Sequence, residues 1–431
     1  MTPVRPAVAI TTVYDGSPGY ECAILQWCTS ARRLASLLLR AGPVERADLA
    51  ILRVPDARQH HLRGRAVKSP PPPPPPLPLA PPQWPPALQT DCGEAQKLEP
   101  GPELVEAISA FRRGSGGCQD KWGGGGKWQG FHTCSFLYKW AMASLVQYTV
   151  VVFADLDVQL LRPEQPPAHV EALWRRTWAE LVPADGAPRF FGAPDHWSPF
   201  NAGQWTLSNP SRALYAWGLE VLRTARWNAT HGFALMGKPK QLAARSPLCR
   251  AMLGRTRALL RNTWDFYAGD SDQGFFFYLM YVARWEQRKH WFVPPEADAQ
   301  RRRAEAILRG ASSEQGGVVG IAPRIAQPLP PLDASEMRCR APSSPAGLAG
   351  QCPHYTRHYI GNTKPWALKA GYNNGRVAHY LRCTEYRHLV NRSRCATLFD
   401  KWDRFGLLPA GLAPANITTK LKNHGKYQRL R

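Results

Sequence analysis

The sequence predicts an α/β fold with a mostly parallel central sheet flanked by helices. Residues 7–14 (AVAITTVY) are rich in branched residues and are typical of a strand that opens such a domain. Residues 21–42 place apolar residues at helical spacing and stop at Gly42, and residues 47–54 read as a second strand. A strand, a helix and a strand in succession favour parallel pairing, because parallel neighbours need a crossover connection.

Further along the chain, the pattern supplies more helices and strands. Residues 151–163 (VVFADLDVQLLRP) read as a buried strand whose end carries two aspartates, and residues 189–195 as a short strand. Four segments have the apolar spacing expected of helices: 136–148, 171–182, 211–225 and 272–287. These elements continue the α/β pattern after a long interruption.

Two segments of biased composition interrupt the pattern. Residues 69–86 are proline-rich and predict an extended, exposed insertion, because proline donates no backbone hydrogen bond. A tolerated surface loop is the default interpretation of this tract, and a ligand for a proline-binding domain is the alternative. Residues 114–130 are glycine-rich without the order of a P-loop and predict a flexible loop. We therefore expect one domain over residues 1–381 and a basic extension over residues 382–431.

The formal charge of +23 raises the question of nucleic-acid binding. The basic residues are scattered and no nucleic-acid motif accompanies them, so no nucleic-acid partner is expected. No stretch approaches the ~20 apolar residues of a membrane helix, and the N-terminus lacks the apolar region of a signal peptide. A cytoplasmic location is expected for this chain, or the Golgi lumen if a leader precedes it.

The ten cysteines form no CxxC pair, so neither a zinc ribbon nor a thioredoxin-type site is indicated. Three loosely spaced pairs are either disulfides in an oxidising compartment or thiols in a reducing one: Cys118/Cys134, Cys339/Cys352 and Cys383/Cys395. Three N-x-[ST] sequons, at Asn228, Asn391 and Asn416, favour a secretory route only weakly.

Asp155 and Asp157 are the first candidates for chemistry. At the carboxyl end of a parallel strand, side chains face the crevice in which α/β folds bind ligands. Successive strand residues point to opposite faces, so the two carboxylates share a face and repel each other unless a cation lies between them. A hard divalent cation that bridges phosphate oxygens is one interpretation, and a turn with aspartates that cap backbone amides is the other.

Four motifs in order make the chain resemble the family of retaining glycosyltransferases that contains glycogenin, galactinol synthase and plant glucuronosyltransferases. They are YKWAMASLVQYTVVVFADLD (138–157), APDHWSPFNAGQWTLSNPS (193–211), GDSDQGFFFYLM (269–280) and HYIGNTKPW (358–366). This chain has Ala202 where the family has serine or threonine in F-N-[ST]-G, and an additional Asp270 in its GDSDQG segment. The resemblance implies the GT-A form of the α/β fold and a UDP-sugar as donor.

The resemblance also implies a metal-diphosphate site. Asp155, Asp157 and His358 would hold Mn²⁺ (or Mg²⁺), a mixed carboxylate and imidazole ligand set that suits manganese. Gly361 would let the backbone approach the diphosphate, and Lys364 would neutralise it as UDP leaves.

The remaining residues that the resemblance assigns would bind the nucleoside and the sugar. Uridine would lie against Thr11, Thr12 and Tyr14. Lys139 would reach the donor near the two aspartates. The donor sugar would contact Asp195, Asn201, Ala202, Gly203 and Asp272, with Gln273 close to the anomeric carbon. Lys139, Asp272 and Gln273 are thus the expected catalytic residues.

The expected function is therefore Mn²⁺-dependent transfer of a hexosyl unit from a UDP-sugar to a hydroxyl, with retention of configuration. The sequence leaves the acceptor open between a carbohydrate, a polyol and a protein, and it leaves open whether the chain forms a homodimer. The alternative is a non-catalytic scaffold, or a protein that binds polyanions, on the same fold.

Overall fold

The structure is a computed structural model of the chain. It describes residues 6–14, 21–41, 44–54, 92–115, 117–118, 133–160, 178, 182, 188–192, 198–245, 247–254, 256–266, 268–283 and 357–358. The proline-rich segment 69–86, most of the glycine-rich segment 114–130 and the predicted extension 382–431 lie outside these residues.

The described chain alternates strands and helices. Its strands are β1 Ala7–Tyr14, β2 Arg46–Arg53, β3 Gln96–Leu98, β4 Val150–Ala154, β5 Val158–Gln159, β6 Arg189–Gly192, β7 Gln204–Ser208, β8 Trp227–Asn228, β9 Gly232–Phe233 and β10 Arg357–His358. Its helices are α1 Glu21–Ala41, α2 Pro102–Gly114, a 3₁₀ helix Thr133–Ser144, α3 Arg212–Thr224, α4 Pro239–Arg245, α5 Pro247–Leu253, α6 Arg257–Arg261, α7 Asp272–Phe277 and a π-helix Tyr278–Ala283.

Six strands form the central sheet, in the order β3-β2-β1-β4-β7-β6. The pairs β3/β2, β2/β1 and β1/β4 are parallel, whereas β7 runs antiparallel to both β4 and β6. Five of the six strands thus share one direction, which confirms the predicted α/β class with a mostly parallel sheet. Because β7 runs the other way, its amino end meets the carboxyl end of β4.

The sheet separates two apolar layers, because successive strand residues point to opposite faces. Ile10 of β1 and Val152 of β4 pack on the same side as Trp27 of α1. Val151 and Phe153 of β4 lie on the other side, in a larger core with the 3₁₀ helix, α3 and α7. The 3₁₀ helix therefore packs on the face toward which the odd-numbered residues of β4 point.

Several predicted elements agree with the structure. β1 and α1 lie where the apolar pattern predicts them, β2 is shifted by one residue, and α3 lies within the predicted helix 211–225. Ser211 caps α3, since its side chain accepts a hydrogen bond from the amide of Leu214. In the predicted helix 171–182, the structure describes Trp178 and Val182, whose backbones form one helical hydrogen bond.

Other elements differ from the prediction. The predicted helix 136–148 is a 3₁₀ helix that ends at Ser144, because a turn follows and the amide of Thr149 already donates to the carbonyl of Ala7 in β1. The predicted helix 272–287 is a short α-helix that continues as the π-helix to Ala283. Among the described helices, none combines the length and the apolar character that crossing a membrane requires.

Two disulfides cross-link the described chain. Cys118 and Cys134 are bonded, which decides between the alternatives left open for that pair. Cys28 of α1 is bonded to Cys92, 64 positions later, a pairing that the spacing did not indicate. The other two predicted pairs lie outside the described residues.

Candidate functional site

Lys139 is the centre of a buried polar cluster at the carboxyl end of β4. Its ammonium nitrogen lies 2.9 Å from Oδ2 of Asp155, 2.9 Å from Oδ2 of Asp272 and 3.2 Å from the carbonyl oxygen of Ala202. The lysine side chain is only 4% exposed. An ammonium group has three N–H bonds, so these three acceptors satisfy it completely.

Asp155 reaches this cluster because of where β4 ends. It follows Ala154, the last strand residue, and alternation places it on the same face as Val151 and Phe153, against the 3₁₀ helix. Its backbone amide donates to the carbonyl of Gly203 at 2.8 Å, which fixes the position of the carboxylate relative to the start of β7.

The geometry predicted for Asp155 and Asp157 is wrong in one respect. The strand does not continue through both residues, because Asp155 opens a tight turn in which the amide of Val158 donates to its carbonyl at 2.9 Å. The two carboxylates are nevertheless close enough to repel, since the charge of Asp157 contributes to the raised pKa of Asp155. The turn therefore keeps the carboxylates of Asp155 and Asp157 near each other, a proximity that the sequence analysis attributed to a shared strand face.

Residues 201–203 form the second wall of the cluster. The side-chain oxygen of Asn201 accepts a hydrogen bond from the amide of Gly203 at 2.9 Å, which closes a tight turn before β7. That turn presents the carbonyl of Ala202 to Lys139 and the carbonyl of Gly203 to Asp155. Because Ala202 contributes its backbone, the hydroxyl missing from F-N-A-G is not needed for this contact.

Asp272 enters from the first turn of α7 and is 2% exposed. Its Oδ2 pairs with Lys139, and its Oδ1 accepts from the amide of Gln273 at 2.8 Å. Gly274 is required here, because a side chain at that position would collide with the carbonyl oxygen of Gly269. The glycine thus lets α7 approach the preceding turn and hold the carboxylate of Asp272 inward.

Burial and the neighbouring charges shift the pKa values of Lys139 and Asp155. Burial alone would lower the pKa of Lys139, but the charges and hydrogen bonds of Asp155 and Asp272 raise this pKa above its usual range. Burial raises the pKa of Asp155 to about 6; Lys139 opposes this shift, and Asp157 and Asp272 add to it. Among the described residues, Lys139 and the carboxylates of Asp155, Asp157 and Asp272 carry one positive and three negative charges when fully ionised.

A disulfide joins two of the segments that build the cluster. Cys134 lies in the first turn of the 3₁₀ helix that carries Lys139, and it is bonded to Cys118. The amide of Cys118 donates to the carbonyl of Asp270 at 3.1 Å, two residues before Asp272. The covalent link therefore ties the lysine-bearing helix to the turn that leads into α7.

The predicted third metal ligand, His358, is placed by its backbone. In the antiparallel pair of β5 and β10 it is the partner of Val158, the residue that follows Asp157. Among the residues that the structure describes, no group of three or more His, Cys, Asp or Glu side chains is arranged to hold a metal ion. Asp195, Gly361 and Lys364, also predicted site residues, lie outside the described residues.

The predicted uridine residues lie at the end of β1. Thr11 is buried and donates its hydroxyl to the carbonyl of Val152 at 3.1 Å, so this side chain bridges two strands. Thr12 and Tyr14 point to the opposite face, toward α1, and both are buried. The hydroxyl of Thr12 has no hydrogen-bond partner within the described part of the chain.

Gln204 is a polar residue at the same edge that the sequence did not single out. It opens β7, pairs with Ala154 and is 4% exposed, yet neither end of its amide has a hydrogen-bond partner among the described residues. The side-chain oxygen of Gln273 is also buried without such a partner. Its position directly after the F-N-A-G segment could have identified Gln204 as a candidate site residue.

Comparisons of the chain with models of known protein families and with curated proteins find no match.

Proposed function

We propose that this chain is a retaining hexosyltransferase of the GT-A type that uses a UDP-sugar and a divalent cation. The observation that supports it most directly is the cluster of Lys139, Asp155 and Asp272. Lys139 and Asp155 belong to the first of the four motifs, and the ammonium of Lys139 lies 2.9 Å from each of Asp155 and Asp272, the latter in the third motif. The second motif contributes the carbonyl of Ala202 at 3.2 Å, so three of the four motifs meet at one ammonium group. The cluster lies at the carboxyl end of β4, the edge at which α/β folds bind ligands.

The charge of the cluster fits a divalent cation. Carboxylates that lie near one another in a largely buried site repel unless a cation lies between them. Asp155 and Asp157 would hold Mn²⁺ or Mg²⁺ through oxygen, and His358, whose backbone adjoins Asp157 in the β5/β10 pair, would be the third ligand. A bound cation of this kind offsets the negative charge of a departing diphosphate.

The protein's own residues would orient the donor sugar. Asp272 is held by Lys139 and by the amide of Gln273, and from this fixed position its carboxylate would accept hydrogen bonds from the sugar hydroxyls. Asn201 and Gly203, in the turn before β7, would lie against the same sugar, as would Asp195. The side-chain oxygen of Gln273, which has no hydrogen-bond partner among the described residues, would face the anomeric carbon. Thr11, Thr12 and Tyr14 would lie on the uridine side, and Gly361 and Lys364 on the diphosphate side.

In this reaction, the acceptor hydroxyl forms the new bond to the anomeric carbon on the face from which UDP departs. The bond between that carbon and the diphosphate oxygen breaks, and UDP leaves with the bonding electrons. The hydroxyl proton passes to the departing UDP, so no protein base is required. Lys139 acts by holding Asp155 and Asp272 in place while charge moves between donor and diphosphate.

The test is a calorimetric titration of UDP into the full chain with Mn²⁺ or with a chelator, followed by a panel of UDP-hexoses assayed for UDP release. We expect binding that depends on the metal and release from at least one donor. Asp157→Asn should lower release about a hundredfold or more, because it removes a metal-binding charge. Asp265→Asn, at an exposed aspartate outside the cluster, should leave release unchanged.

If UDP shows no metal-dependent affinity, the proposal is wrong. The buried ion pairs would then be structural, and the scaffold or polyanion-binding alternative would gain support.

A further inference from the structure

We propose that Asn228 is an N-glycosylation site and that its glycan is carried on the hairpin β8/β9. Asn228, Ala229 and Thr230 form an N-x-T sequon whose middle residue is not proline. The structure adds what the sequence could not supply, namely the exposure of the sequon, the environment of the amide and the redox state of nearby cysteines.

The sequon is accessible on the folded surface. Asn228 and Thr230 are both exposed, and they flank the tip of a hairpin in which Asn228 pairs with Gly232. An oligosaccharide is bulky and strongly hydrated, so it is tolerated only where the modified side chain faces solvent. The hairpin meets this condition at the asparagine and at the threonine.

The contacts of Asn228 leave its nitrogen available. Its Oδ1 accepts hydrogen bonds from the amides of Thr230 at 3.0 Å and His231 at 2.7 Å. Both contacts use the oxygen and neither uses Nδ2, the atom that would carry the sugar. A glycan on Nδ2 therefore preserves the two hydrogen bonds that shape the turn.

The hairpin is anchored by contacts that do not use the side chains of Asn228 and Thr230. Phe233 is fully buried and stacks on Phe111 with ring centroids 4.9 Å apart. The amide of Trp227 donates to Ser115, and the carbonyl of Ala229 accepts from the amide of Trp264 at 2.7 Å. Because the hairpin is held by these contacts, a group attached at Asn228 extends from a fixed base and displaces no core residue.

The disulfides are the independent observation that indicates the compartment. Cys28–Cys92 and Cys118–Cys134 cross-link the same body of the protein, and Cys118 lies three positions from Ser115, the hairpin's anchor. Disulfides persist in oxidising compartments and are rare where thiols are kept reduced. Transfer of oligosaccharides to sequons takes place in the same oxidising lumen, so both features indicate one route.

The modification is a glycosyl transfer to the chain. Nδ2 of Asn228 forms a bond to the anomeric carbon of an oligosaccharide that is linked to a lipid diphosphate. The bond between that carbon and the phosphate oxygen breaks, the amide loses one proton, and the lipid diphosphate leaves with the bonding electrons. The host cell supplies both the lipid-linked oligosaccharide and the transferase that catalyses the step, so this proposal does not depend on any activity of the chain itself.

The test uses the full chain, isolated from the cells that produce it. Trypsin should release residues 227–240, since Arg226 precedes this stretch and proline follows Lys238; the peptide contains a single asparagine. Treatment with a glycan-releasing amidase in ¹⁸O-labelled water should convert Asn228 to heavy aspartate in most copies. Recovery of only the unmodified peptide before treatment would overturn the proposal.

Two variants at the same position separate the modification from folding. In the Thr230→Ala variant, the intact chain should lack the glycan mass that the amidase removes from Asn228. The Thr230→Ser variant should still carry that mass. Both substitutions are at an exposed side chain, so the thermal unfolding midpoint of each deglycosylated variant should match that of the deglycosylated parent. An amidase-sensitive shift at Asn228 that survives Thr230→Ala would contradict the proposal.

Discussion

Lys139 and Asp272 are 133 positions apart in the sequence, yet the ammonium nitrogen of one lies 2.9 Å from Oδ2 of the other. Both side chains are almost fully buried, with 4% and 3% exposed. A buried ion pair is stable only if each charge finds its partners, so this contact ties the 3₁₀ helix to α7 and aligns both with the end of β4.

Replacing Lys139 with methionine should destabilise the protein strongly. It keeps most of the side-chain volume but leaves the carboxylates of Asp155 and Asp272 buried without their cation. Loss of one partner of a buried pair costs about 3–5 kcal/mol, which urea denaturation followed by circular dichroism would measure. Lys240→Met, at an exposed lysine, should change the free energy of unfolding by less than about 0.5 kcal/mol. Equal losses in both variants would contradict the central role of Lys139.

Metal-dependent binding of UDP should weaken as the pH falls through about 6. Asp155, whose pKa is raised to about 6 by burial, must lose its proton to bind a cation. Affinity should then fall about tenfold for each pH unit below that value, which calorimetry at pH 5, 6 and 7 would determine. An affinity independent of pH over this range would exclude Asp155 as a ligand.

The raised pKa of Asp155 has the opposite effect on stability: lower pH favours the folded state. The pKa of Asp155 is higher in the folded chain than in the unfolded chain, so between about pH 4 and pH 6 the folded state binds more protons. The stabilising contribution of this carboxyl is therefore present at low pH and is lost as the pH rises through that window. Without metal, Asp155→Asn should remove this part of the pH dependence of the free energy of unfolding.

The disulfides Cys118–Cys134 and Cys28–Cys92 should differ in their effect on activity. Replacing Cys118 and Cys134 with serine opens a link between residues 16 positions apart and should cost about 3 kcal/mol of stability. Because Cys118 also holds the carbonyl of Asp270, turnover should fall even at temperatures where the variant is folded. The matched pair Cys28→Ser with Cys92→Ser should cost about 4 kcal/mol, since it spans 64 positions.

That second pair lies with α1 on the other face of the sheet, so its variant should keep the turnover of the parent once folded. Similar turnover losses in the two double variants would show that the Cys118–Cys134 link has no special relation to the site.

Gly274→Ala should displace α7. The added methyl group would meet the carbonyl of Gly269, which is backbone and cannot turn aside, so we expect a loss of about 1–3 kcal/mol and lower UDP release. Gly114→Ala is the control, because that helical glycine has open space around it and alanine favours the helix by about 0.5–1 kcal/mol. Thermal unfolding of both variants would measure the contrast.

The sequence predicted the parts of the fold that have long, regular patterns. β1 and α1 were predicted because branched residues and helical spacing run for many residues. β7 was missed as a strand although QWTLS alternates polar and apolar residues, because five residues are a short run in which to recognise a period of two. The 3₁₀ helix was expected as an ordinary helix, because apolar spacing does not distinguish a 3₁₀ hydrogen-bond pattern over a few turns.

For the candidate site, the sequence predicted the identity of the residues more fully than the contacts that these residues make. Lys139 was expected to reach the donor near the aspartates, and in the structure it binds Asp155 and Asp272 directly. Ala202 acts through its carbonyl, which no side-chain pattern can indicate. The turn at Asp155 was one of two interpretations, because strand alternation through Asp157 was assumed although β4 ends at Ala154. Contacts over such separations depend on packing, which a single sequence does not record.

The separation of 133 positions between Lys139 and Asp272 also has a consequence for how the chain matures. During synthesis, β1, α1, β4 and the 3₁₀ helix can associate long before α7 emerges, and in that intermediate Asp155 is the only charged partner of Lys139 described in the cluster. Contacts between distant segments form late, because closing long loops costs entropy. The site is thus completed by one of the last described elements to arrive, and a ligand that requires all its parts would bind only chains that have finished folding.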